Sequence, residues 1–241
     1  MRGWWQELAG LVAPVDCAGC GLPRSVLCGE CGAELWGRPA RRVRPDPVPA
    51  GLPPVYAAAR YEGGVRSALI AHKERGGLAL ADPLGAALAG AVGAAGRSGA
   101  GWDVRGRRGP LLLVPVPSAR SAVAGRGQDA GRRLALAAAR ALRGSGTSAR
   151  VAAVLRLRRP VLDQSGVDAR RRVANVAGAM EAVRGAERLW RSGGPVVLVD
   201  DLMTTGASLA EAARAVTAGD GRVVAAAVIA AAPRTFGNHR N

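Results

Sequence analysis

Apolar runs and helically spaced apolar positions alternate along most of this chain. Short runs at 55–61, 111–116, 151–157, 196–199 and 222–232 predict buried strands. Between them, Val65, Leu69 and Ile70 mark a helix that ends at Gly76-Gly77, and Leu78, Leu80, Leu84 and Leu88 mark a second over 78–95. Leu134, Leu136 and Leu142 mark a third over 128–143, and an alanine-rich helix follows at 209–218. A weaker strand is expected at 178–183. Strands alternating with helices predict an α/β fold built on a mostly parallel sheet flanked by helices. Residues 37–54 are rich in proline and arginine without apolar periodicity, and read as a linker or extended strap. The chain therefore divides into an N-terminal module over 1–36, this linker, and a larger α/β domain over 55–241.

Composition modifies the picture only slightly. The formal net charge is +16 over 241 residues, and Lys73 is the sole lysine among 34 basic residues. An arginine excess of this kind resembles a coding bias, yet the charge still attracts polyanions such as pyrophosphate or nucleic acid. The run at 223–232 is too short to span a bilayer. Gln6 and Glu7 interrupt the first residues, arguing against a signal peptide. Trp4, Trp5, Leu8, Leu11 and Val12 have helical spacing and are expected to pack on the body of a cytoplasmic protein without a transmembrane segment.

All four cysteines lie within the first 31 residues, as Cys17-x2-Cys20 and Cys28-x2-Cys31. Two such pairs can complete a tetrahedral thiolate site, and glycines at 19, 21, 29 and 32 permit the tight turns it needs. Two disulfides are the alternative, disfavoured in a reducing compartment. Four thiolates would leave zinc no open position, so its expected role is structural.

The richest chemistry follows the run at 196–199. Asp200 and Asp201 come next, and then Thr204-Thr205-Gly206-Ala207-Ser208 leads into a helix. In an open α/β sheet, ligands sit beyond the carboxyl ends of the strands. Hydroxyl donors and free amides at a helix N-terminus suit a phosphate, and paired carboxylates suit vicinal hydroxyls. A phosphorylated sugar satisfies both. Simple helix capping would account for one of these residues, but not for all of them.

Other segments add donors. Lys73 ends a helix, where a cation also complements the dipole. Ser118, Arg120, Ser121, Arg126 and Gln128 follow the strand at 111–116 and could grip a pyrophosphate. Residues 162–175, with arginines at 170–172, read as a solvated charge run or as a lid over a charged substrate. Gly125-x-Gly127 lacks the third glycine of a dinucleotide fingerprint, and Lys73 lacks the glycine-rich turn of a Walker loop.

The stretch from Val196 to Ser208 resembles the signature of type I phosphoribosyltransferases, which bind 5-phosphoribosyl-1-pyrophosphate (PRPP). The chain from about residue 10 to 234 is similar to the competence-protein ComF family, in which a four-cysteine zinc module precedes such a domain. The likeness rests on the paired cysteine motifs, Lys73, Pro115-Val116-Pro117, Arg126-Gly127 with Gln128, Gln164, Arg171, Asn175, and the 200–208 motif. Here Arg126-Gly127 runs directly into Gln128, where the family commonly has an aromatic residue and an asparagine between them. The resemblance implies Asp200 and Asp201 on the ribose hydroxyls, and Thr204, Thr205, Gly206, Ala207 and Ser208 around the 5-phosphate. It also implies Lys73, Arg126 and Arg171 as PRPP contacts, Mg²⁺ with the PRPP, and zinc on Cys17, Cys20, Cys28 and Cys31. The expected setting is natural transformation, with single-stranded DNA and the uptake machinery as partners. Phosphoribosyl transfer, non-catalytic PRPP sensing and a DNA-binding adaptor role are each compatible with these residues.

Overall fold

A computed structural model describes residues 16–99, 109–118, 129–159, 175–192 and 194–237. Its centre is a six-stranded sheet containing β1 (Arg41–Val43), β2 (Val55–Arg60), β3 (Leu111–Pro115), β4 (Ala149–Val151), β7 (Val196–Met203) and β8 (Val223–Ala231), in the order β1-β2-β8-β7-β3-β4. All neighbours are parallel except β1, which runs antiparallel on the edge of β2. The mostly parallel α/β architecture expected from the alternating pattern is thus present.

Helices α1 (Gly29–Trp36), α2 (Gly63–Glu74), α3 (Ala81–Arg97) and α4 (Ala130–Gly144) cover one face. Alternate strand residues, among them Leu113, Val197, Val199 and Ile229, point into this layer. Leu112, Leu198, Ala226 and Val228 point the other way, towards α6 (Ala207–Thr217) and a small antiparallel ribbon of β5 (Leu155–Leu157) and β6 (Met180–Ala182). The short α5 (Ala186–Ser192) follows β6. With both faces covered, the central strands carry nearly continuous apolar sequence, as parallel strands must.

Several boundaries differ from those expected. The strand expected over 151–157 is two: β4 finishes the main sheet, and β5 leaves it to form the ribbon. The crossover is fixed where the Ala152 N–H donates to the Leu113 carbonyl. The expected linker supplies β1, and Thr235, in the turn after β8, accepts the Arg44 N–H. Asp129 caps α4 by accepting the Arg132 N–H at 3.0 Å, so this helix starts slightly later than its apolar spacing indicated. Leu136, expected in the core, is 45% exposed, and alanines at 135, 138 and 139 take its place.

One helical stretch among the described residues, Leu78–Arg97, is long and apolar enough to cross a membrane, and 61% of its apolar window is buried within the fold. Such burial is that of a core helix. The proposed amphipathic segment at residues 4–12 lies outside the described residues.

Candidate functional site

Connectivity selects one crevice. From β3 the chain passes through α4 outward to β4, and from β7 it passes through α6 outward to β8. The two paths diverge from adjacent strands. The carboxyl ends of β3 and β7 therefore form a topological switch point, where open parallel sheets bind ligands.

At this point β7 overhangs its neighbour. The β3–β7 ladder ends at Pro115 opposite Val199, with the Val116 N–H reaching the Val199 carbonyl at 3.0 Å. Pairing with β8 continues through Asp200 opposite Val228 to Met203 opposite Ala231. The acidic pair is therefore inside a longer strand, and not after a short one as the apolar run implied. Polar side chains do not end a strand whose backbone still has a partner, and the small apolar residues of β8 provide one.

Strand alternation sends Asp201 to the face of α2 and Asp200 to the opposite face. Lys73, near the end of α2, lies 3.0 Å from Asp201 Oδ2. The Asp201 N–H donates to Asp200 Oδ1 at 2.9 Å. Burial, followed by the neighbouring Asp201 charge, pushes the Asp200 carboxyl well above the ordinary carboxylate range, while Lys73 pulls against both. The pair thus crowds two carboxyl groups around the Lys73 ammonium.

The following turn ends in Gly206, which has φ of 77° and precedes α6 without any side chain to cap it. A left-handed backbone here favours glycine. A Cβ at Gly206 would stand 3.1 Å from Leu52 and 3.4 Å from Pro45, both on the strap. The strap thus lies close on that side, so a small residue suits packing against the protein's own chain as well as the ligand approach expected from sequence. Thr205 is buried, and its Oγ1 meets the Ala207 N–H only at 3.4 Å. Thr204 and Ser208 are half-buried beside it. No family model matches the chain, and no curated protein matches it. Arg126, Gln128, Gln164 and Arg171 lie outside the described residues, while Asn175 opens the segment that leads to β6.

The cysteines form a second cluster. The four sulfurs lie within 4.8 Å of one another, and Cys20 and Cys28 are 3.6 Å apart. A tetrahedral zinc–thiolate site has sulfurs separated by about 3.8 Å, so this set can hold a structural zinc. Burial opposes ionisation of Cys17, but backbone N–H groups of Cys28, Cys20 and Gly19 outweigh it and lower its thiol to about 6. Burial and the surrounding sulfurs push Cys31 upward. A zinc ion held there would supply the positive charge that makes four crowded thiolates mutually compatible.

Sequence reasoning missed how the two clusters connect. The first turn of α2 packs against the cysteine module: the Gly64 N–H donates to Glu34 Oε2 at 2.8 Å, and a Cβ at Gly64 would be 2.9 Å from Cys31 Sγ. The far end of the same helix presents Lys73 to Asp201. Leu35 of the module is also buried in the main core. Nothing in the spacing of Gly63-Gly64, the pair that starts α2, names its partner.

Proposed function

We propose that this chain is a PRPP-binding protein of the type I phosphoribosyltransferase kind, related to the ComF competence proteins. The observation that carries the reading is the overhanging end of β7, where Asp200 and Asp201 stand beside Lys73 at the switch point. In this reading Asp200 and Asp201 accept the ribose hydroxyls, whose donors relieve the charge crowded into the pair. Thr204, Thr205, Ser208 and the first amides of α6 receive the 5-phosphate. Lys73 exchanges part of its contact with Asp201 for the pyrophosphate, and Mg²⁺ neutralises that group when bound. Arg126 and Arg171 are further candidates for the pyrophosphate.

The transfer would form a bond from an acceptor atom to the anomeric carbon as the carbon–oxygen bond to pyrophosphate breaks. Positive charge then grows on the sugar, beside the acidic pair, and negative charge on the departing pyrophosphate. The acceptor's proton passes to solvent. His72 offers no base for it: this residue is 5% exposed, with Nδ1 3.1 Å from the Gly77 carbonyl. That burial favours a second reading, in which the chain senses PRPP without transferring it. The +16 charge fits a cytoplasmic role with single-stranded DNA and the uptake machinery as partners in either case.

Calorimetry with PRPP and Mg²⁺ tests the shared claim, and an undetectable heat at millimolar PRPP would reject it. Pyrophosphate release with a panel of acceptors then separates transfer from sensing.

A further inference from the structure

A cavity lies at the sheet edge, two strands from the acidic pair. The register leaves it open: β1 begins at Arg41 opposite Ala57, while β2 continues through Arg60. Among the described residues the end of β2 thus has no strand on its outer side, and a cavity of about 580 Å³ fills the notch. This size lies within the range of small-molecule sites. It also sits at the carboxyl end of β2, since Arg60 pairs with Ala231 in the parallel ladder.

Its two walls differ in chemistry. Arg38, Arg41 and Arg60 line the sheet side together with Phe236. The Arg41 and Arg60 guanidiniums lie over the Phe236 ring, 5.0 and 5.2 Å from its centroid. Stacking fixes a guanidinium while leaving its N–H edge free for an anion. The arginines at 140, 156, 158 and 214 are instead spent on carboxylates. The ring ties the two guanidinium carbons to within about 10 Å of each other, a spacing one phosphorylated ligand can bridge. On the helix side stand Glu30 and Glu62, which accept hydrogen bonds, while Glu34 is already occupied by the Gly64 N–H.

We propose that this notch binds a small phosphomonoester of mononucleotide size. The phosphate would lie on Arg41 and Arg60, with Arg38 at the rim, and amino or hydroxyl donors of the ligand would face Glu30 and Glu62. The site is separate from the one on β7 and does not depend on the PRPP reading.

The test is calorimetric titration of the full chain with adenosine 5′-monophosphate, accompanied by inorganic phosphate and adenosine as its two halves. Saturable binding of one nucleotide per chain is expected, weaker for phosphate and weakest for adenosine. Replacing both Arg41→Gln and Arg60→Gln should weaken it by about a hundredfold, the loss of charge-assisted hydrogen bonds from two residues. Arg41 is exposed, so Arg41→Lys tests the fork without risk to the fold; about a tenfold loss is expected. The Asp200→Ala/Asp201→Ala protein should bind the nucleotide as the parent does. Absence of saturable binding by all four common 5′-mononucleotides overturns the proposal, as does unchanged affinity in either arginine variant. Loss of binding in the aspartate variant would assign the nucleotide to β7 and overturn it equally. A thymidine decanucleotide that binds more tightly, with the same arginine dependence, would make the notch a nucleic-acid contact instead.

Discussion

Two sets of carboxylates, a few residues apart in the same strand–turn–helix unit, have opposite environments. Glu211 on α6 is 5% exposed and well satisfied. It accepts the Met180 N–H at 2.9 Å and a two-pronged contact from Arg214, each prong 2.8 Å long. Arg214 also donates to the Met180 carbonyl, so this clamp fastens the β5–β6 ribbon to the helix. Burial opposes ionisation of Glu211, but Arg214 and the Met180 amide more than compensate and hold its carboxyl below the usual range. At Asp200, burial and Asp201 act together and leave the carboxyl raised. Where a carboxylate is fully paired, it holds the fold. Where two are crowded around one ammonium, hydrogen-bond donors of a ligand would relieve the crowding. Perturbed groups of the second kind cluster at functional sites.

The strongest challenge to this contrast is the double change Asp200→Ala/Asp201→Ala. It should lower PRPP affinity by about two to four orders of magnitude, from hydrogen bonds worth roughly 1.5–3 kcal/mol each, while the melting temperature holds. Calorimetry paired with thermal melting checks both; unaltered affinity would move the site elsewhere, and unfolding would make the pair structural.

The cysteine cluster would be satisfied by a metal ion, and Cys28→Ser should prevent zinc binding. Because metal affinity is folding free energy, a loss of several kcal/mol and a clearly lower melting temperature are expected. Metal analysis under reducing conditions is the direct check, with about one zinc per chain expected in the parent.

Glu211→Ala should destabilise by about 2–3 kcal/mol, since it orphans the buried Met180 amide and frees a half-exposed arginine. PRPP affinity should fall far less than in the aspartate variant. An equal fall would mean that the clamp shapes the site directly.

The smallest effect carries the sharpest sign. A carboxyl raised in the folded state contributes stability at acid pH that is lost as pH rises through its native pKa. Asp200 therefore costs stability at neutral pH, and Asp200→Asn should be more stable than the parent there, with the gain vanishing below about pH 4. Glu211 has the reverse dependence: its lowered pKa gives stability above about pH 4 that is lost on further acidification. Denaturant melts of Asp200→Asn and Glu211→Gln across pH 3–8 should diverge in opposite directions from the parent. Parallel curves would erase the distinction.

Much of this was legible in the sequence because it is local. The long apolar runs gave β3, β7 and β8, since a strand buried on both faces has little choice of composition. The paired Cys-x2-Cys spacing anticipated a convergent cluster, because such turns bring their sulfurs together. What escaped were pairings between distant segments. The overhang of β7 depends on how far β8 extends, and the division of 149–157 depends on where β3 stops accepting partners. Leu52 and Pro45 over Gly206 were hidden because a proline-rich strap has no period to betray which face it covers.

The helix α2 joins the cysteine module at Gly64 to Asp201 through Lys73, and this makes its residue count matter more than its composition. Each residue in a helix advances the direction of all later side chains by about 100°. One residue inserted between the two anchors would swing the ammonium away from the acidic pair while moving it only about 1.5 Å along the axis. The segment is thus a phase-setting spacer: many substitutions on its outer face keep the two ends in step, and a single insertion or deletion puts them out.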